Sequence, residues 1–188
     1  MIDGMNASPD LSTLCLSAQA LNAASMAPYG WLMDIDAAFA SQGGKSINAG
    51  TSRRADLPGI LSLDAAGGRP MACVFRARGQ SAQGPWVQLE RHRLGSQTFV
   101  PMSPPTPQIV PRDQDIGVLL VALGGDAPDL DTLRAFVFKA QQAFTLKPGT
   151  WHHPLIALID FDFWVIERGA DEVDCELCQL PTPVTISA

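Results

Sequence analysis

Two short segments carry all three histidines of the chain, His92, His152 and His153. Three imidazoles exclude any site that needs four, and they mark where chemistry is to be sought. The first segment runs Glu90-Arg91-His92-Arg93-Leu94-Gly95-Ser96-Gln97. Side chains alternate between faces along a strand, so Glu90 and His92 share one face and Arg91 and Arg93 take the other, where solvated charges are expected. Gln97 follows beyond a glycine turn. The second segment runs Lys147-Pro148-Gly149-Thr150-Trp151-His152-His153-Pro154. Its His153 must face away from its neighbour His152 and is not a co-ligand of the same ion. Glu90, His92, Gln97 and His152 together offer a carboxylate, two imidazoles and an amide oxygen. That N/O set suits one divalent ion (nickel, manganese, zinc or iron) and leaves room for a chelating substrate. The same residues without an ion would serve as acid, base and hydrogen-bonding groups of a metal-free pocket.

The elements that must position these residues are mostly strands. Extended segments are expected at Trp31–Ile35, Ile60–Leu63, Met71–Ala77, Val87–His92, Gln97–Pro101, Leu133–Phe138, Leu155–Asp160 and Phe163–Glu167. Ile116–Leu123 is a continuous apolar run of buried-strand length. One helical turn capped by Asp129 is expected, and Leu11–Met26 reads as an N-terminal helix closed by Pro28 and Gly30. With 16 Gly and 15 Pro spacing the strands, the pattern is a mainly β, single domain over 1–188: a sandwich, barrel or jelly roll. Residues 1–10 and 181–188 read as flexible tails.

Composition removes whole classes of function. Lys and Arg total 13 against 19 Asp and Glu, a net charge of -6, which argues against a nucleic-acid partner. Hydrophobic residues at 46% exclude a disordered chain. No apolar run approaches the roughly 20 residues of a membrane helix, and no secretory signal is expected at Met1–Asp10. Cys175 and Cys178 form one Cys-x-x-Cys without the second pair a structural zinc site wants. They read as two reduced cysteines, and the cytoplasm is the expected compartment. No organic cofactor is indicated.

The spacing of Glu90, His92 and Gln97 resembles the first cupin motif, and Gly149-Thr150-Trp151-His152 resembles the second; the four residues fall at cupin ligand positions. More closely, the chain resembles the ureidoglycolate lyase family, formerly called ureidoglycolate hydrolases. The resemblance is carried by Ala27-Pro28-Tyr29-Gly30, by Ile47-Asn48-Ala49-Gly50 with Arg54 downstream, and most specifically by Glu90-Arg91-His92-Arg93-Leu94-Gly95-Ser96-Gln97-Thr98-Phe99-Val100-Pro101-Met102. Ala122-Leu123-Gly124, Pro128-Asp129-Leu130, Thr132-Leu133-Arg134-Ala135-Phe136, Trp151-His152-His153-Pro154-Leu155 and Glu167-Arg168-Gly169 continue it, so that it spans roughly 27–178. The sequence departs from the family's pattern with Arg93 in place of Pro, with Ala55 and Asp56 in place of Tyr-His, and with Thr145, Leu146, Lys147 and Pro148 in place of Asn-Tyr-His-Arg.

The resemblance implies a cupin-like β-barrel, a homodimer, and C–N elimination of (S)-ureidoglycolate to glyoxylate and urea in allantoin and purine catabolism. On that reading a metal at Glu90, His92, Gln97 and His152 is expected to chelate the substrate. His92, His152 and Glu90 form the catalytic group. Lys147, standing where the family has His, is a cation or acid; Asn48, Arg54 and Gln97 bind substrate; and Trp151 packs beside or lines the site. Two alternatives stay open: a cupin isomerase or dioxygenase acting on another small polar acid, and a non-catalytic cupin that binds a metabolite.

Overall fold

The apolar run at Ile116–Leu123 becomes a strand buried on both faces, and two sheets are organised around it. The computed structural model describes residues 13–57, 59 and 61–187. In chain order the elements are β1 (Leu14–Ser17), β2 (Gln19–Ala20), α1 (Ala23–Met26), β3 (Gly30–Asp34), α2 (Ile35–Gln42), β4 (Lys45–Ile47), β5 (Ser52–Arg54), β6 (Arg69–Ala77), β7 (Trp86–Arg91), β8 (Gln97–Ser103), β9 (Asp115–Ala122), β10 (Arg134–Lys139), β11 (Gln142–Leu146), β12 (Trp151–His152), β13 (Ile156–Ala157), β14 (Phe161–Gly169) and β15 (Glu176–Ser187). The larger sheet runs β1-β15-β7-β12-β9-β10-β2, with β13 also paired to β9. Its edge strands β1 and β2 are separated in the chain by Ala18 alone, so the sheet curls into a nearly closed barrel. The smaller sheet runs β3-β11-β8-β14-β6, and β4 and β5 form a separate ribbon. This is the mainly β, cupin-like architecture that the sequence predicts.

Period-two alternation divides the side chains between two cores. Leu119 and Val121 of β9 join Phe136 and Phe138 against Phe99, Phe144, Phe163 and Val165 of the smaller sheet. Val118, Leu120 and Ala122 turn to the other face and pack with Leu89, Trp151, Val184 and Ile186. An unbroken apolar run is what a strand with two buried faces requires.

Four expectations are corrected. The segment expected as a helix from 11 to 26 is helical only at Ala23–Met26; Leu14–Ser17 and Gln19–Ala20 are strands. Leu14 and Leu16 alternate with exposed neighbours and pair in parallel register with Val184 and Ile186, and burial along that edge outweighs the helical propensity of the segment. Residues 11, 12 and the expected tail 1–10 lie outside the described residues. The expected tail 181–188 is, through Ser187, the second half of β15, paired to β7 and β1. Its Pro181 and Pro183 fall where the β15–β7 register shifts between Gln179 and Val184, so neither interrupts a regular ladder. Residues 61–63 are irregular, and Leu155–Asp160 contains only the two-residue β13. An unexpected helix, α2, is capped by Asp34, whose side chain accepts from Ala37 N at 3.0 Å, and ends on Gly43 in the left-handed region at φ 68°.

Candidate metal centre and its cavity

Strand register brings the two histidine segments together. The two-residue β12 is held between β7 and β9, with His152 directly opposite Glu90 on one side and Val121 on the other. Paired residues share a face, so Glu90 and His152 point with Val121 into the space between the sheets. Gly149, at φ 81°, makes the turn before β12, and its N–H donates to the His92 carbonyl at 2.6 Å. One ligand atom from each of Glu90, His92 and His152 lies within 4.8 Å of the others. The His92 and His152 rings are 5.5 Å apart, and His152 is 2% exposed.

Hydrogen bonds to the far side of each ring aim the near side. His92 Nδ1 meets the Asp174 carbonyl, and His152 Nδ1 meets the Thr150 carbonyl at 3.0 Å. A carbonyl only accepts, so both Nδ1 atoms carry the proton and both Nε2 atoms face the cluster. Asp174 is itself fixed, because its carboxylate accepts the backbone N–H groups of Arg93, Leu94 and Gly95, each at 2.9 Å. Gln97 Nε2 donates to Glu167 Oε2 at 2.9 Å, which leaves Gln97 Oε1 as a bare acceptor.

His92 Nε2, His152 Nε2 and Gln97 Oε1 are buried without a hydrogen-bond partner. His152 Nε2 stands 3.5 Å from Glu90 Oε1, an electrostatic approach too long for a good hydrogen bond. Each buried acceptor without a donor costs about 1–3 kcal/mol. A divalent cation among Glu90, His92 and His152 would satisfy both imidazole nitrogens at once, and an N/O set of this composition fits one. Burial pushes the Glu90 carboxyl up. The closeness of His152, then that of His92 and the Cys175 thiol, outweighs burial and holds the carboxyl below its ordinary range.

A cavity of about 220 Å³ opens beside the cluster, lined by His92, Glu167, Cys175 and Arg69 among others. Glu167 lies on β14 in the same alternation as the inward Phe163 and Val165. Cys73 Sγ donates to its Oε1 at 3.7 Å. Cys175 Sγ donates to Glu90 Oε2, also at 3.7 Å. A larger groove of about 520 Å³, lined by Leu21, Leu32 and Leu57, is apolar and holds none of the cluster residues.

A family model described as Ureidoglycolate lyase matches residues 13–187, a span that includes every residue of the cluster and the cavity wall. The chain belongs to the ureidoglycolate lyase family. It is 38% identical over 161 residues to the ureidoglycolate lyase of Burkholderia mallei (strain NCTC 10229), covering 83% of this chain and 84% of that protein. It is 41% identical over 108 residues to the ureidoglycolate lyases of Salmonella newport (strain SL254) and Salmonella agona (strain SL483), covering 56% of this chain and 61% of each.

Within this ureidoglycolate lyase family member, several predicted site residues stand apart from the cluster. Lys147 Nζ donates to the Ala27 carbonyl at 2.6 Å and lies 5.4 Å from the Trp31 ring centre. Asn48 sits in the turn between β4 and β5 and donates to Ser52 Oγ; Arg54, on the same ribbon, pairs with Asp56 at 2.6 Å. None of the three lines the cavity. Trp151 is 1% exposed in the barrel core, on the sheet face opposite His152, so it packs beneath the site and does not line it. Arg91 is not a solvated charge: it is 3% exposed, stacks on Trp151 and pairs with Glu176 at 2.7 Å. Arg93, half-exposed, reaches Glu176 and Asp126. His153 points away, against the Trp86 ring at 4.5 Å. Sequence reasoning missed Glu167, Cys73 and Cys175. Period-two reading of β14 was the one signal for Glu167, since it continues the inward row of Phe163 and Val165.

Among the described residues, no helix is long and apolar enough to cross a membrane.

Proposed function

We propose that this chain is a ureidoglycolate lyase that cleaves (S)-ureidoglycolate to glyoxylate and urea, with one divalent cation held by Glu90, His92, Gln97 and His152. The observation that carries the reading is the cluster of buried acceptors without donors beside a cavity sized for a small acid, in a chain of this family. Nickel, manganese, zinc and iron all suit the donor set. When bound, the ion supplies positive charge for the substrate's carboxylate and carbinol oxygens and eases loss of the carbinol proton.

The elimination is redox-neutral. The carbinol O–H breaks as the C=O forms, the C–N pair goes to the ureido nitrogen, and that nitrogen gains a proton. The chain's own part is to orient and to accept protons. Both imidazoles are locked by their Nδ1 bonds, so their Nε2 atoms keep one direction. Glu90, kept ionised by its neighbours, is the acceptor nearest them. Arg69 on the cavity wall is paired only loosely, 3.7 Å from the fully exposed Asp171. It is the cation placed to hold the substrate carboxylate. Incubation of the purified protein with (S)-ureidoglycolate should release urea and glyoxylate in equal amounts; absence of both overturns the reading.

We further infer a homodimer and a cytoplasmic setting. An exposed apolar stripe of Val74 and Trp164, paired across β6 and β14 on the outer face of the smaller sheet, supports the first. Four unpaired cysteines support the second.

A further inference from the structure

We propose that Glu167 sets the orientation of the Gln97 amide, so that Gln97 presents its oxygen and not its nitrogen to the cation cluster. The inference rests on the cation reading of that cluster. Gln97 is 5% exposed and faces inward at the start of β8. A buried amide has two orientations of nearly equal shape and opposite polarity: one offers an acceptor to the cluster, the other two N–H donors, which would repel a cation. Something must choose between them. A carboxylate accepts only, and Glu167 Oε2 takes Gln97 Nε2 at 2.9 Å. The opposite orientation would set two oxygens against each other.

Glu167 is in turn held from its other side. Its Oε1 accepts from Cys73 Sγ at 3.7 Å. Cys73, Glu167 and Gln97 lie on β6, β14 and β8, three consecutive neighbours in the smaller sheet. They form a strut across that sheet. Its free end is Gln97 Oε1, one of the buried atoms without a partner. Placement on adjacent paired strands gives the strut the rigidity that a preorganised ligand needs. Glu167 is therefore a positioning residue that acts through Gln97.

Cobalt(II) binding to the metal-depleted full chain tests this, read by calorimetry and by the visible spectrum of the bound ion. Glu167→Gln removes the acceptor-only partner and frees the amide to turn. It is expected to weaken cobalt(II) binding by about 10- to 100-fold and to shift the spectrum in the same direction as Gln97→Ala. The double variant is expected to bind no more weakly than Gln97→Ala alone, because both changes remove one interaction. The exchanged pair, Gln97→Glu with Glu167→Gln, keeps one amide-to-carboxylate bond and offers a carboxylate oxygen to the cluster. It is expected to bind cobalt(II) at least as tightly as wild type, and this outcome does not depend on how well Glu167→Gln alone folds. Wild-type affinity in Glu167→Gln, or effects of Glu167→Gln and Gln97→Ala that simply add, would overturn the proposal. A wild type that takes up no cobalt(II) would overturn the cation reading itself.

Discussion

The Arg91 guanidinium lies 4.3 Å from the centre of the Trp151 ring, on the face of the barrel sheet opposite Glu90 and His152. Each partner is one residue from a member of the cluster, and the two strands that carry them are paired at Glu90 and His152. Both Arg91 and Trp151 also donate to the Gly125 carbonyl. The two-residue β12 is short, so this stack on the reverse face adds to the pairing with β7 and β9 that keeps His152 opposite Glu90. Trp151→Ala should cost about 3–5 kcal/mol of stability and weaken cation binding. Trp151→Phe should cost less on both counts. Urea unfolding with parallel calorimetry checks the pair; an unchanged affinity in Trp151→Ala would separate the stack from the site.

Asp174 ties the turn after His92 to the loop before β15. Asp174→Ala leaves the N–H groups of Arg93, Leu94 and Gly95 without their acceptor. A loss of about 1–3 kcal/mol is expected, concentrated locally. Hydrogen exchange should speed up at those three amides well before the amides of β9 respond. Uniform acceleration across both would contradict a local clamp.

Acid sensitivity should come in two windows. Burial lowers the His153 imidazole below its ordinary value, against a smaller opposing pull from the Pro154 carbonyl and the Glu90 charge. The unfolded chain then takes up this proton first as pH falls. Stability is therefore full above the ordinary imidazole value of about 6.5 and declines as pH drops toward the lower folded value. The Glu90 carboxyl is also lowered, so its contribution is lost separately, below the ordinary carboxylate range. In metal-depleted protein, His153→Gln should flatten the decline of Tm between about pH 7 and 5 and leave the more acid loss in place. A decline that keeps its slope in the variant would assign the effect elsewhere.

Lys147 supplies a test in the opposite direction. Its ammonium is committed to the Ala27 carbonyl and the Trp31 ring. Lys147→Ala should change kcat by less than about threefold and cost no more than about 1 kcal/mol of stability. A hundredfold loss of kcat would restore it to the reaction.

The cluster was legible in the sequence because its signals are local. Glu90 and His92 share a face by period two, and Gly149 marks the turn that delivers His152. The strand set around them was equally readable, since Ile116–Leu123 and Phe163–Glu167 carry their own patterns. Contacts between distant segments were not legible. Glu167 meets Gln97 70 residues away, and Cys175 meets Glu90 85 residues away; only sheet order brings them together. Arg91 was misread because a polar residue on the reverse face of a strand reads as solvated unless that face has a second core. Leu14–Ala20 was misread because its composition suits a helix, while its pairing with β15 and β10 decides the outcome.

The proposed site joins Glu90, His92, Gln97 and His152 around one cation used in cleaving ureidoglycolate. The most direct measurement is a stoichiometric titration of chelator-treated protein with nickel(II) or manganese(II), following urea release from (S)-ureidoglycolate at each addition. No release is expected before addition, then a rise that breaks at one ion per chain, with neither binding nor release in His92→Ala or His152→Ala. Full turnover by chelated protein that contains no metal, or wild-type binding in both histidine variants, would contradict it.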